Sequence, residues 1–291
     1  MKIAYISCAA LPEPDIDEQP LVDALNAAGH DASVAAWDDP SVDWSQFDLA
    51  IVRATWNYAL HVDAFAAWLK RVNSLTTLVN PYETLSWNLH KSYLLTLAGD
   101  GVPIIPTRFV NQGEWVTVSQ IVQEEGWSRI VIKPTVSAGS FGTQYFDLST
   151  MYGPSQLARA QMFFGEMIAQ RDMMIQRYMP SVDTQGETAL IVINGQLTHA
   201  IEKRPRFDDQ DEEVYLREHI SDEMRELATK VLDAAGQEHY YARVDVIPDD
   251  DGSLMLSELE LLEPSLFFPY APHAIDAFVG GLEQLAAKST H

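Results

Sequence analysis

Two nearly continuous apolar runs near the C-terminus, YYARVDVIP and SLMLSELELLE, carry charges where a buried strand tolerates them least. Side chains alternate along a strand, so Glu258 and Glu260, two apart, share one face, and Asp245 sits in the neighbouring run. Carboxylates crowded on one sheet face repel unless they are protonated or bridged by cations. A hard, oxygen-liganded metal, most simply Mg²⁺, is the expected partner, and Mg²⁺ in turn implies phosphates. The competing reading is a solvated acidic face on an acidic protein. Strands that are otherwise this apolar belong inside, which weighs against it.

The rest of the chain reads as mixed α and β. KIAYIS, LVDALNAAG, DASVAAW and DLAIVR follow as strand, helix, strand, strand; HVDAFAAWLKRV is a further helix and TTLVNP a short strand. Residues 1–88 are expected to form a first lobe, an open α/β sheet. From Leu89, HKSYLLTLAGDGVPIIPTRFV reads as a helix stopped by glycines and a strand after Pro106, opening a small central lobe over 89–176. The third lobe, 177–291, holds two alternating strands joined at Asn194-Gly195, the helix SDEMRELATKVLDAAG, the two apolar strands, and a last helix near 272–287.

Charge narrows the partners. A formal net charge of -23 argues against a nucleic-acid binder, because phosphate backbones demand clustered Lys and Arg. An anionic substrate must therefore be drawn by a local basic patch. Cys8 is the single cysteine, so no intrachain disulfide forms, and no segment approaches the ~18 apolar residues of a membrane span. The N-terminus lacks a signal-like apolar region, and a cytoplasmic protein without membrane or nucleic-acid partners is expected. Acidity leaves room for a homodimer.

The basic patch has candidates. In IVIKPTVSAGSFGT, Lys133 ends a β-branched run and Ser137, Ala138, Gly139, Ser140 and Gly142 come after it. Small residues let backbone N–H groups close around phosphate oxygens while the ammonium neutralises them. The stretch is neither GxxxxGK[ST] nor GxGxxG, and an ordinary strand-turn-strand is the alternative. MMIQRYMPSVDTQGETAL could pair its backbone with an adenine edge, with Asp183 or Glu187 on ribose hydroxyls. Lys203, Arg204 and Arg243 add positive charge downstream. VRATWNY places Arg53, Thr55, Trp56, Asn57 and Tyr58 after a buried strand, where open α/β sheets put ligand contacts. The eight histidines form no metal-spaced pair, His199 and His273 read as structural or rim residues, and Ser7, Ser137 and Ser140 lack a GxSxG context.

Taken in order, Lys91, Lys133 with its loop, the hinge Gln176 to Met179, the acidic ribose position, the basic pair, and Asp245 with Glu258-x-Glu260 resemble the ATP-grasp enzymes from about residue 89 onward. The first lobe looks like the α/β domain that commonly precedes that fold. The resemblance implies that Lys91, early in a helix, and Lys133 contact nucleotide phosphates and that the 136–143 loop, with Ser137, Gly139, Ser140 and Gly142, is the lid. It makes Gln176, Arg177, Tyr178 and Met179 the adenine hinge, and Asp183 the ribose contact ahead of Glu187. Asp245, Glu258 and Glu260 become ligands for Mg²⁺, two ions with ATP. Many relatives carry Glu-x-Asn at the last pair, and Glu263 competes with Glu260 here.

VRATWNY and ELELLEPSLFF look most similar to the cyclo-ligases that close O-ureido-D-serine into D-cycloserine. That likeness implies a small amino-acid-like substrate held by Arg53, Thr55, Trp56, Asn57, Tyr58, Glu263 and Ser265, with Arg243, Lys203 and Arg204 as catalytic cations. Its carboxylate would be activated as an acylphosphate and attacked by an amine of the same molecule. An intermolecular carboxylate–amine ligase, making a dipeptide or a glutathione-like product, is the first alternative. A catalytically degenerate nucleotide-binding protein is the second.

Overall fold

The computed structural model describes residues 1–139, 141–204 and 213–289. Its first sheet contains β1 (Lys2–Ser7), β2 (Asp31–Ala36), β3 (Leu49–Ala54) and β4 (Thr77–Val79), all parallel, in the order β2-β1-β3-β4. β3 is buried at every position because helices cover both faces, the arrangement in which a strand reads as an unbroken apolar run. The helix Val62–Asn73 turns Phe65, Trp68, Leu69 and Val72 inward at the helical period. Phe65 stacks on Tyr58 at 5.0 Å between ring centres and meets Trp37 edge-on at the same distance, fixing the segment after β3.

The second sheet holds β5 (Thr107–Val110), β6 (Arg129–Pro134), β7 (Gln144–Asp147) and β8 (Met173–Arg177), all antiparallel, in the order β5-β8-β6-β7. Alternation along β6 sends its side chains to two different faces. Ile130 and Ile132 point into a core with Val118, Ile121 and Phe164, so Val131 and Lys133 face the other way, toward the third sheet.

That third sheet contains β9 (Glu187–Ile193), β10 (Gln196–Arg204), β11 (Glu213–Leu216), β12 (Tyr241–Pro248) and β13 (Leu254–Glu260), antiparallel in the order β11-β10-β9-β12-β13. Asn194 and Gly195 both have positive φ, 49° and 73°, as a two-residue hairpin turn requires. The register sets Arg243 opposite Glu260 and Asp245 opposite Glu258, so four charges share one patch of one face.

Side-chain amides join the first sheet's exit to the third sheet. Asn80, fully buried, donates to the carbonyls of Tyr241 and Leu261 at 2.9 and 2.7 Å and accepts from the amides of Tyr240 and Tyr241. Asn88 donates to Leu259 O and accepts from Leu261 N. The Tyr241 hydroxyl reaches Val52 O at 2.8 Å from the end of β3. Lys91 differs from expectation: it lies in the turn between helices Tyr82–Asn88 and Tyr93–Gly99 and not within a helix. Among the described residues no helix is long and apolar enough to cross a membrane.

Candidate active site

A cavity of about 260 Å³ opens between the three sheets. Its floor is the charged patch of β12 and β13. Lys91 Nζ lies 3.0 Å from Glu258 Oε1 and Lys133 Nζ 3.5 Å from Oε2, so one carboxylate holds a turn lysine and a strand lysine together. Lys203 Nζ stands 2.7 Å from Asp245 Oδ2 and 3.2 Å from Glu187. Arg243 grips Asp245 in a fork, Nε to Oδ1 and Nη2 to Oδ2 both at 2.9 Å, and also pairs with Glu260.

These pairs do not balance. Four cations, Lys91, Lys133, Lys203 and Arg243, face six carboxylates, Glu13, Glu187, Asp245, Glu258, Glu260 and Glu263, along the cavity wall. Burial opposes ionisation of Glu258, yet Lys91 and Lys133 hold its pKa down to about 2. Burial likewise opposes ionisation of Asp245, and Arg243 and Lys203 keep it below the usual carboxylate range. Glu260 goes the other way, raised to about 7 by burial and by Glu258 and Asp245 despite Arg243. Glu263 rises to about 8, through burial and Glu260. The unbalanced negative charge is therefore relieved by protons held at Glu260 and Glu263. Among the described residues no three metal-type side chains already converge as a cage. The donor set is short of positive charge, and an added hard cation fits it.

Of the residues singled out from sequence, Lys91, Lys133, Ser137, Gly139, Glu187, Lys203, Arg243, Asp245, Glu258, Glu260, Glu263, Ser265, Trp56 and Tyr58 meet at this cavity. The loop after β6 is docked across it: Ser137 O accepts from Lys91 Nζ at 2.9 Å and from the Tyr58 hydroxyl at 3.3 Å, while Val136 and Ala138 pack on the first-sheet core. Gly142 sits off the cavity at φ 65°, where a Cβ would come within 3.0 Å of Pro134 and Met167. Ser140 lies outside the described residues.

The hinge forms an apolar cluster beside the cavity. Tyr178 and Met179 pack with Ile105, Val182 and Ile247, flanked by Val131, which also lines the cavity. Gln176 turns its amide to Thr107 across the β5–β8 pair, and Arg177 pairs with Asp249 at 2.6 Å.

Five expectations need correction. Lys203 and Arg204 are neighbours on β10 and so point to opposite faces; Arg204 is exposed, near Glu202 and Glu213 and over the Tyr215 ring, away from the cavity. Asp183 sits exposed in the short helix Val182–Gln185, taking the Tyr178 hydroxyl, while Glu187 reaches the cavity, which reverses their order as ribose candidates. Arg53 is buried against Asp17, Pro264 O and the Tyr241 ring. Thr55, two residues further on, is fully buried. Asn57 is turned to Trp37 and Asp38 on the outer side. None of these last three lines the cavity.

Glu13, Asn88, Tyr93, Thr143 and Phe267 line it without having been singled out. Glu13 carried a usable signal, since the turn PEPD comes after β1 at the carboxyl edge of an open parallel sheet.

Residues 3–80 match the family described as D-cycloserine synthetase DcsG, N-terminal domain. The cycloserine biosynthesis protein DcsG of Streptomyces lavendulae is 29% identical over 97% of this chain and 98% of its own. The crystal structure of D-cycloserine synthetase DcsG superimposes with a TM-score of 0.89 at 29% identity, covering 98% of this chain and all (100%) of that one. The ATP-grasp ligase PsnB, complexed with a minimal precursor, gives a TM-score of 0.64 at 15% identity over 96% of this chain and 98% of its own, a likeness of fold alone.

Proposed function

We propose that this chain, an ATP-dependent ligase with the ATP-grasp fold that is similar to D-cycloserine synthetase along nearly its whole length, closes O-ureido-D-serine into D-cycloserine. The observation that carries this reading is the meeting, in one cavity, of the Glu258 lysine pair with Arg243 and with first-lobe aromatics Trp56 and Tyr58. Cations suited to phosphates and the first-lobe aromatics then line one cavity.

In this reading Lys91 and Lys133 leave Glu258 for the phosphates of ATP. Glu258, Asp245 and Glu260, with Glu263 as the competing ligand, are thereby free to hold Mg²⁺, two ions in the fullest arrangement. The metal would neutralise phosphate charge. The adenine would enter the apolar cluster beside the hinge backbone, and Glu187 would accept from the ribose. Arg243 would hold the substrate carboxylate, with Trp56, Tyr58 and Ser265 around the rest of the molecule.

The carboxylate oxygen attacks the γ-phosphorus and ADP leaves, giving an acylphosphate. The substrate's own ureido nitrogen, the one bonded to oxygen, then attacks the carbonyl carbon and phosphate leaves, closing a five-membered isoxazolidinone ring that still carries the carbamoyl group. Water takes that group from the nitrogen as carbamic acid, which breaks down to CO2 and ammonia. Lys133, Lys203 and Arg243 offset charge on the phosphoryl oxygens, the largest contribution in transfers of this kind. The loop after β6, docked through Val136, Ser137 and Ala138, would shield the acylphosphate from water. An intramolecular nucleophile needs no second substrate site.

Incubation with Mg-ATP and O-ureido-D-serine alone tests the proposal. ADP release with cycloserine detected by mass spectrometry is expected. ADP release only when a separate amine is supplied would replace ring closure by intermolecular ligation, and nucleotide binding without any turnover would point to a degenerate site.

A further inference from the structure

The turn after β13 is built around a carboxylate from the other end of the chain. The amides of Leu266 and Phe267 donate to Asp17 Oδ2 at 2.5 and 3.2 Å, and the amide of Phe268 donates to Oδ1 at 2.7 Å. Successive N–H groups converge on one anion when a residue among them turns left-handed, forming a backbone nest. Phe267, at φ 55° and ψ 39°, is that residue. A left-handed phenylalanine is disfavoured by itself, so this turn depends on the anion that fills it. Asp17 is fully buried there.

Arg53 secures the same turn one step earlier. Buried, it donates from Nη2 to Pro264 O at 2.6 Å and reaches Asp17 Oδ2 at 3.4 Å. Two first-lobe residues thus hold Pro264 and the three amides of 266–268. Between those grips, Ser265 and Phe267 are presented to the cavity. The Arg243 guanidinium stands 6.0 Å from the Phe267 ring, with Nη1 3.5 Å from Ser265 O, and Trp56 Nε1 donates to Glu263 O at 3.3 Å. The nucleotide-side lysines are engaged elsewhere, on Glu258.

We infer that Asp17 and Arg53 are positioning residues for the amino-acid end of the cavity: Asp17 is the resident anion of the 266–268 nest, and through that turn it sets Ser265, Phe267 and Arg243. The inference rests on reading the 263–267 side as the substrate end. It makes the first lobe a template for substrate binding whose effect stops short of the nucleotide.

Asp17→Asn removes the charge and one of the two acceptor oxygens, and Arg53→Lys removes the Nη2 that spans Asp17 and Pro264. For each, the KM of the amino-acid substrate is expected to rise about tenfold or more while the KM of ATP stays within about twofold, since small misplacements at a reacting centre are costly. A merely structural role would raise both together or neither, and either result overturns the inference. If Asp17→Asn does not fold, Arg53→Lys carries the kinetic comparison. In the unaltered protein the amides of Leu266, Phe267 and Phe268 should exchange with solvent as slowly as those of β12; exchange at open-loop rates overturns the inference without reference to activity. Failure of the unaltered enzyme to use O-ureido-D-serine would refute the proposed substrate and leave this exchange measurement to decide the nest.

Discussion

Glu258 shows how a single side chain can carry two charge states of a site. Lys91 and Lys133 hold it ionised, with a pKa near 2, and the same two ammonium groups are those a phosphate would take. Lys133→Met should raise the dissociation constant of ATP about tenfold or more, the order of one charge-assisted contact, by calorimetric titration. An unchanged constant would remove Lys133 from the nucleotide site. Glu260 and Glu263 supply a pH test. Their protons are held to about 7 and about 8 in the fold, against roughly 4.3 in an unfolded chain. The folded state binds more protons over that window, so their contribution is full below the unfolded value and is lost as pH rises through 7 and 8. Glu258, lowered, acts oppositely, its contribution vanishing only as pH falls toward 2. The metal-free Tm should therefore drop between about pH 6 and about pH 8.5, Mg²⁺ should recover more at the higher pH, and Glu263→Gln should flatten the metal-free slope. A flat metal-free profile would contradict the charge imbalance. The types of these residues were legible in the sequence; their directions were less so. Lys203 and Arg204 look equivalent in a string of letters, and only the pairing of β10 puts one in the cavity and the other outside.

Elements matter here by where they bring chains close. Gly186, between the hinge and β9, has φ 70°, and a Cβ there would lie 2.7 Å from Lys203 O on β10. Gly186→Ala should destabilise the protein by about 1–3 kcal/mol, combining left-handed strain with overpacking, and should lower turnover because Lys203 is displaced. Urea unfolding and initial rates read the two effects; loss of neither would contradict the close approach. Strands with a buried face were readable from their apolar runs, and the Asn194-Gly195 hairpin from its turn residues. β11, EVYL, was not, because three of its four residues are exposed and it sits at the sheet edge with no apolar face to bury. The Asp17 nest was hidden for another reason: its partners are about 250 residues away (|i−j| 249 to 251), and no local pattern marks an aspartate that will fill a distant turn.

At the scale of the whole molecule, the first and third sheets meet across the cavity because buried amides tie them at fixed offsets. Asn80 makes four hydrogen bonds to the backbone of residues 240, 241 and 261. Asn80→Ala leaves several buried groups without partners and should cost about 3 kcal/mol or more, read as a lower urea midpoint with an unchanged slope. A change under about 0.5 kcal/mol would show that the lobes are held by other means. The net charge of -23 repels anions in general, so the four cavity cations matter all the more for recruiting a nucleotide and a carboxylate together. Activation of that carboxylate by ATP is the claim on which the rest depends. It is tested most directly with O-ureido-D-serine labelled with ¹⁸O in its carboxyl group, turned over with Mg-ATP, and the released phosphate weighed by mass spectrometry. One ¹⁸O should pass to phosphate for each cycloserine formed from fully labelled acid. Cycloserine formed with unlabelled phosphate would contradict an acylphosphate and with it this account of the site.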